Sequence, residues 1–345
     1  MTSEAEQLNL PESGQPETAA ATRAAGNEAP LWLPAPALPL LPAPPPTGGE
    51  SAFFPGFQAH SVPTTGATIH VLTCGDGPPL LLLHGYPQTH VMWHKIAGEL
   101  AQHYTVVLPD LRGYGDSDKP EGGVNHVNYS FRSLAQDQVE MMRHFGFDTF
   151  YVAGHDRGGR VAHRLSLDYP DLVRKVCVMD IAPTLTMYTD TNQDFATRYV
   201  WWFFHIQPAP MPEHMIGFDP VYYLKNSLAV LGKTPGSVTP AALAEYLRCF
   251  CCQGTIRAVC EDYRAAATID LDHDRADDAA GRRISAPLLV LWGGRGTVGQ
   301  RWDVLATWRA KADGPVTGQA LDCGHFLPEE QPVAVLAQLR PFFQS

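Results

Sequence analysis

One stretch narrows the folds open to this chain more than any other: Tyr151-Val152-Ala153-Gly154-His155-Asp156-Arg157-Gly158-Gly159-Arg160. A short apolar strand runs into a glycine-flanked acid and then directly into a helix spanning Val161 to Asp168. Small residues at 154, 158 and 159 let the backbone turn sharply from strand to helix, which lifts the central side chain out of the sheet edge. The positive end of the helix dipole lies beneath it and favours a carboxylate and a developing oxyanion. The central residue is Asp156, at the place where an esterase carries serine. A serine that attacked a saturated carbon would leave an ether, which water activated by histidine cannot open. A carboxylate leaves an ester, which water can hydrolyse. Asp156 therefore points to displacement at an sp3 carbon, a carbon–halogen bond or an epoxide, followed by ester hydrolysis. The competing reading is an aspartate that merely caps its helix.

The rest of the chain supplies a frame for that turn. Pro79 to Leu83 is a continuous apolar run, as expected of a strand buried on both faces of a parallel sheet, and it ends in His84-Gly85-Tyr86-Pro87-Gln88-Thr89-His90. A helix is expected over Val91 to Gln102, then a strand Tyr104 to Leu108 and a glycine-rich loop Pro109 to Asp118. Arg132 to Phe145 reads as a helix, Phe150 to Ala153 as the strand before the turn, and Val176 to Met179 as another strand closing on Asp180. The alternation then stops for about a hundred residues that are helical and aromatic, and resumes with the strand Pro287 to Trp292. A helix Arg301 to Ala312, a strand toward Leu321 and a last helix Val333 to Phe343 complete it. An early antiparallel strand covers Ala67 to Thr73. This pattern predicts an α/β fold with a mostly parallel, doubly wound sheet and a helical cap inserted between two strands. The core is expected over residues 51–183 and 276–345, and the cap over 184–275.

Residues 1–50 are rich in Ala, Pro, Gly and Glu and are expected to form a disordered or polyproline extension outside the folded body. Glu4 and Glu6 precede any basic residue, which argues against a signal peptide. The formal net charge of -11 argues against nucleic-acid or anionic-membrane partners. No stretch has the length and apolar purity of a membrane span. Seven cysteines without metal-ligand spacing read as thiols of a reducing compartment, so the protein is expected in the cytoplasm.

His325, in Asp322-Cys323-Gly324-His325-Phe326 just after the last strand, would share the carboxyl-end rim with Asp156. A carboxylate with a reference pKa of about 3.9 needs no base, so His325 would serve the second step by taking a proton from the attacking water. A third group should orient that imidazole. The later strand end, Trp292 to Val298, contains no acid, and the earlier one ends in Asp180, which is preferred over Asp110 and Asp322. Backbone N–H groups of Tyr86 and Arg157 are the expected oxyanion donors. Arg157 and Arg160 would form a fork for a substrate carboxylate. The alternative is that one of them pairs with Asp156 or with an acid of the cap.

HGYPQTHVMWHKIA (84–97), PDLRGYGDSDKP (109–120), GHDRGGR (154–160), MDIAPT (179–184), QPAPMPEHMIGFDP (207–220), CEDYRAAATIDLDHD (260–274) and GHFLPEE (324–330) together resemble the fluoroacetate-type haloacetate dehalogenases of the α/β-hydrolase superfamily. The likeness spans nearly all of residues 53–345. It implies Asp156 as nucleophile, His325 as base, Asp180 as acid, and Arg157 with Arg160 as the carboxylate clamp. It further implies a halide pocket in the cap, in which Trp202 and Tyr263 match the family's tryptophan and tyrosine. The family's pocket histidine is replaced by Trp201, so the resemblance implies dehalogenation without implying a preference for fluoride. The expected reaction is hydrolytic dehalogenation of a short 2-haloacid, using water and neither metal nor organic cofactor. Homodimerisation is an expectation taken from the family alone. An epoxide hydrolase, with Tyr188, Tyr199, Tyr222 and Tyr263 available to the epoxide oxygen, is the runner-up. A non-catalytic binding protein and a serine esterase are disfavoured.

Overall fold

The computed structural model describes residues 50–344, so the expectation for the Pro/Ala-rich extension lies outside the described residues. Eight strands form one sheet in the order β1-β2-β4-β3-β5-β6-β7-β8. They are β1 Gln58–Pro63, β2 Thr68–Cys74, β3 Pro79–Leu83, β4 Thr105–Pro109, β5 Phe150–His155, β6 Val173–Met179, β7 Leu288–Gly293 and β8 Val316–Leu321. β1 and β2 pair antiparallel, as do β2 and β4, and the remaining pairs are parallel. β5 is buried along its whole length and β3 at all but its first residue, because helices cover both sheet faces.

After β3 the chain crosses to one side for β4 and then to the other for β5, so the strand order reverses between β3 and β5. In open α/β sheets the crevice at the carboxyl ends of such a pair is where ligands bind. β3 runs into His84-Gly85-Tyr86 there, and β5 runs into Asp156. Between β6 and β7 a series of helices, from Thr184–Thr189 to Ile269–Ala279, forms the inserted region, so its helical run passes the expected boundary at 275. Among the described residues no helix is long and apolar enough to cross a membrane. All seven cysteines are unpaired.

Two expected helices are broken. Over 91–102 there are a 3-10 turn His90–Trp93 and a helix Ala97–Leu100. The His94 ring takes the Val91 carbonyl at 2.8 Å, an acceptor that a continuous helix would offer to Lys95. Over 301–312 the helix divides into Thr297–Arg301 and Val304–Arg309, because Trp302 is extended and Asp303 caps the second segment through Ala306 N–H.

Candidate active site

Asp156 follows β5 with φ +46° and ψ -113°, outside the regions a non-glycine residue ordinarily occupies. The turn is as tight as the glycines imply. A Cβ at Gly154 would come within 2.2 Å of the Gly158 carbonyl, and one at Gly158 within 2.4 Å of the Leu83 and His84 carbonyls. The helix Arg157–Asp168 starts at the next residue, yet the Asp156 side chain makes no capping bond to it. Instead its Oδ2 accepts the backbone N–H of Tyr86 at 3.1 Å, which sets aside the helix-cap reading. Burial alone would raise the Asp156 pKa, but the fields of His325, Arg160, His155 and Arg157 outweigh it and hold the carboxyl below its ordinary value. The group is therefore favoured as an anion, held against the turn that follows β3.

Asp180, directly after β6 and itself at φ +51°, hydrogen-bonds His325 Nδ1 through Oδ2 at 2.5 Å. Its other oxygen accepts Gly293 N–H at 2.9 Å, so the end of β7 fixes the acid that orients the imidazole. Burial pulls the His325 pKa down, while the hydrogen bond and charge of Asp180, with Asp156 and Glu330, push it further up, for a net rise. The weaker candidates go elsewhere. Asp110 accepts His90 N–H, His90 Nδ1 and Asp116 N–H, all at 2.9 Å, and so shapes its loop. Asp322 is exposed and pairs with Arg295 at 3.0 Å. His155 is a residue that sequence reasoning passed over. Its ring lies 4.5 Å from that of His325, and its Nε2–H donates to the His325 carbonyl at 2.6 Å. Burial, helped by the neighbouring His325, takes its pKa to about 3, so it is a neutral donor that braces the loop.

The two arginines differ. Arg157 is fully buried and committed to Asp262, an acid of the cap, through Nε at 2.8 Å and Nη2 at 2.5 Å. Tyr114 OH donates to the same carboxylate at 2.7 Å. Arg160, 2% exposed, donates only to neutral groups: the Ala182 carbonyl at 3.2 Å, Thr184 Oγ1 at 2.8 Å and Met187 Sδ at 3.1 Å. Arg157 Nη1 and Arg160 Nε are buried without a partner. Burial lowers the Arg160 pKa, and the field of Asp156 offsets part of that.

The cap covers these groups with rings. Trp202 lies under the Arg160 guanidinium at 4.7 Å, and Tyr263 under that of Arg157 at 4.4 Å. Trp201 is buried against Tyr199, ring centroids 5.8 Å apart. One helical turn beyond it lies His205, which the sequence did not mark; it is fully buried, 4.6 Å from the Tyr263 ring and hydrogen-bonded through Nε2 to Tyr223 OH at 2.8 Å. Of the four tyrosines offered for an epoxide, Tyr222 is 67% exposed and points away. Tyr199 and Tyr263 are buried, and burial, together with the negative field of Asp156, holds both hydroxyls well above their ordinary pKa.

Among the described residues two groups of side chains lie close enough to share a cation: His70-His90-Asp110 and Asp116-Glu245-Cys249. The first is already knit by the N–H donors on Asp110, and in the second Arg248 supplies the positive charge, 2.5 Å from Asp116 and 2.6 Å from Glu245. Neither group includes Asp156, Asp180 or His325.

Residues 78–205 match the model of the alpha/beta hydrolase fold. The chain is similar to a fluoroacetate dehalogenase of Burkholderia sp, 41% identical over 85% of this chain and 95% of that one. It is also similar to a soluble epoxide hydrolase of Corynebacterium sp. (strain C12), 33% identical over 82% of this chain and 96% of the other. Among solved structures, an alpha/beta hydrolase of Nostoc sp PCC 7120 superposes with a TM-score of 0.81 at 56% identity, covering 83% of this chain and 98% of its own.

Proposed function

The chain belongs to the α/β-hydrolase family that includes the fluoroacetate dehalogenases, and on that premise we propose that it hydrolyses the carbon–halogen bond of a short 2-haloacid. The observation that carries this reading is Arg160. A guanidinium that is 2% exposed and has no carboxylate among its hydrogen-bond partners is costly to bury, because the field of Asp156 offsets only part of the desolvation of the charge. A substrate carboxylate received by Arg160 Nε and Arg157 Nη1 would complete both unpartnered groups and bring C2 toward Asp156.

In the first step an Asp156 oxygen attacks C2, the new C–O bond forms as the C–halogen bond breaks, and the halide leaves with the bonding pair. The indoles of Trp202 and Trp201 and the hydroxyl of Tyr263 are the cap groups that receive it. In the second step His325 takes a proton from water, which adds to the carboxyl carbon of the Asp156 ester. Tyr86 N–H, already on Asp156 Oδ2, stabilises the oxyanion. Collapse cleaves the acyl–oxygen bond, His325 returns the proton to the departing alkoxide, and a 2-hydroxyacid leaves. Asp180 keeps His325 Nε2 free for water and stabilises the imidazolium.

The test is halide release from fluoro-, chloro- and bromoacetate by purified protein at neutral pH. Release from chloro- and bromoacetate supports the reading, and release from fluoroacetate as well shows that Trp201 tolerates fluoride. A second reading, epoxide hydrolysis, is favoured by Tyr199 and Tyr263, two buried hydroxyls within the field of Asp156. Diol formation from a neutral epoxide, with no halide from any haloacetate, would replace the first reading by the second.

A further inference from the structure

Every backbone N–H from Gly324 to Phe326 has a fixed partner, and two of the three go to one side chain. Glu330 Oε2 accepts Gly324 N–H at 2.9 Å, and Oε1 accepts Phe326 N–H at 2.9 Å. The same Oε2 also accepts Lys233 N–H, from the cap, at 2.9 Å. Between those bonds, His325 N–H itself donates to the cap carbonyl of Leu231 at 3.2 Å. The loop and this cap segment are in close contact: a Cβ at Gly324 would lie 2.6 Å from both the Leu231 carbonyl and Lys233 N. Arg295 adds a bond to the Lys233 carbonyl at 3.0 Å. Glu330 is 6% exposed, and what stabilises its carboxylate is these three N–H donors.

We propose that Glu330 is a positioning residue for the second half of the reaction, clamping the backbone on both sides of His325 to the cap segment Leu231–Lys233. The inference rests on the two-step reading above and deepens it. Asp156 attacks as a carboxylate that is already ionised, held by Tyr86 N–H and by the fields of His325 and Arg160, so ester formation asks the His325 loop for a nearby charge but for no proton transfer. Ester hydrolysis demands that the imidazole sit within hydrogen-bond reach of one water, and a displacement of about 1 Å costs such a step up to about 100-fold. Glu330→Gln keeps the volume and one acceptor oxygen, but its amide N–H₂ must face the backbone N–H donors of either Gly324 and Lys233 or Phe326, which cannot bond to it. The loop then loses one side of its clamp while Asp156, Asp180 and the arginines keep their bonds.

The experiment compares native protein, Glu330→Gln, Glu330→Asp and His325→Asn on chloroacetate, by rapid-quench chloride release, steady-state turnover and peptide-resolved mass of Asp156. The expected result for Glu330→Gln is a chloride burst at the native rate, turnover lowered about 10- to 100-fold, and a carboxymethyl ester accumulating on Asp156. Glu330→Asp, which keeps the charge one methylene short, is expected to lie between native and Glu330→Gln. Burst and turnover falling together, or no ester on Glu330→Gln where His325→Asn accumulates it, overturns the proposal. Should Glu330→Gln not fold, Glu330→Asp is decisive: native turnover there also overturns it. Absence of ester on His325→Asn defeats the two-step reading itself, whatever Glu330 does.

Discussion

Asp156, Asp180 and His325 each follow a strand of the sheet and are fixed through backbone bonds, whereas Trp202 and Tyr263 meet the arginines beside Asp156 from cap helices, with Trp201 packed on Tyr199, and are held by ring packing. The sheet side leaves little freedom: Tyr86 N–H sets Asp156, Gly293 N–H sets Asp180, and His155 with Asp180 sets His325. The cap side is more adaptable, because rings 5.8 and 6.4 Å apart can re-pack without breaking a ladder. In the proposed reaction the contrast separates what reacts from what is accepted. Arg157 and Arg160 straddle the divide: Arg157 is tied into the cap through Asp262, and Arg160 both to Ala182 after the strand end and to Thr184 and Met187 of the first inserted helix.

Changes on the sheet side should therefore remove activity and changes on the cap side redirect it. The largest expected effect is Asp156→Asn, which should lower halide release by roughly 10⁴-fold or more with the circular dichroism spectrum unchanged. Next, Asp180→Asn should cost roughly 10²–10⁴-fold in kcat, because an amide stabilises the wrong tautomer and no imidazolium. Equal turnover by this variant would move the orienting role away from Asp180. Arg160→Gln should lower kcat/KM for chloroacetate by about 30-fold or more while leaving any turnover of a neutral epoxide intact. Equal losses on both substrates would mean that Arg160 merely supports the fold. Trp201→His, the smallest, should raise fluoride release relative to chloride release by about tenfold, since a second type of donor enters the cap side. An unchanged ratio would place halide selection outside Trp201.

A fifth expectation concerns pH. His325 must be neutral to accept a proton, and its pKa in the resting protein is raised above 6.5. Its base form is therefore lost as pH falls through that raised value. Asp156 is one cause of the rise, so an NMR titration of His325 should give a lower pKa in Asp156→Asn than in native protein.

The same divide governs how much was legible in the sequence. The turn around Asp156 was readable because close approach at Gly154 and Gly158 demands glycine, and that demand shows in the spelling of the chain. Asp180 was reachable by elimination, since one strand end offered an acid and the other did not. Asp262 was not, because its partner lies across a wide sequence gap and nothing local marks a side chain as the mate of Arg157. His205 was hidden for the same reason: a histidine inside an aromatic helix carries no sign of which ring it will meet. The strand β1 escaped notice because only Val62 in it is buried, so it shows no alternation. The broken helices at His94 and Asp303 turned on single side chains competing for backbone groups, which periodicity does not register.

The charge on Asp156 has a consequence in time as well as in space. While the carboxylate is free it favours a protonated His325, a poor proton acceptor. In the proposed reaction, once it has displaced the halide it is an ester and bears no charge, and that part of the hold on the proton disappears. The histidine would thus be rearmed by the product of the first step, at the moment a base is wanted. A catalyst wired in this way needs no separate signal to change from alkylation to hydrolysis, because the covalent intermediate is itself the signal.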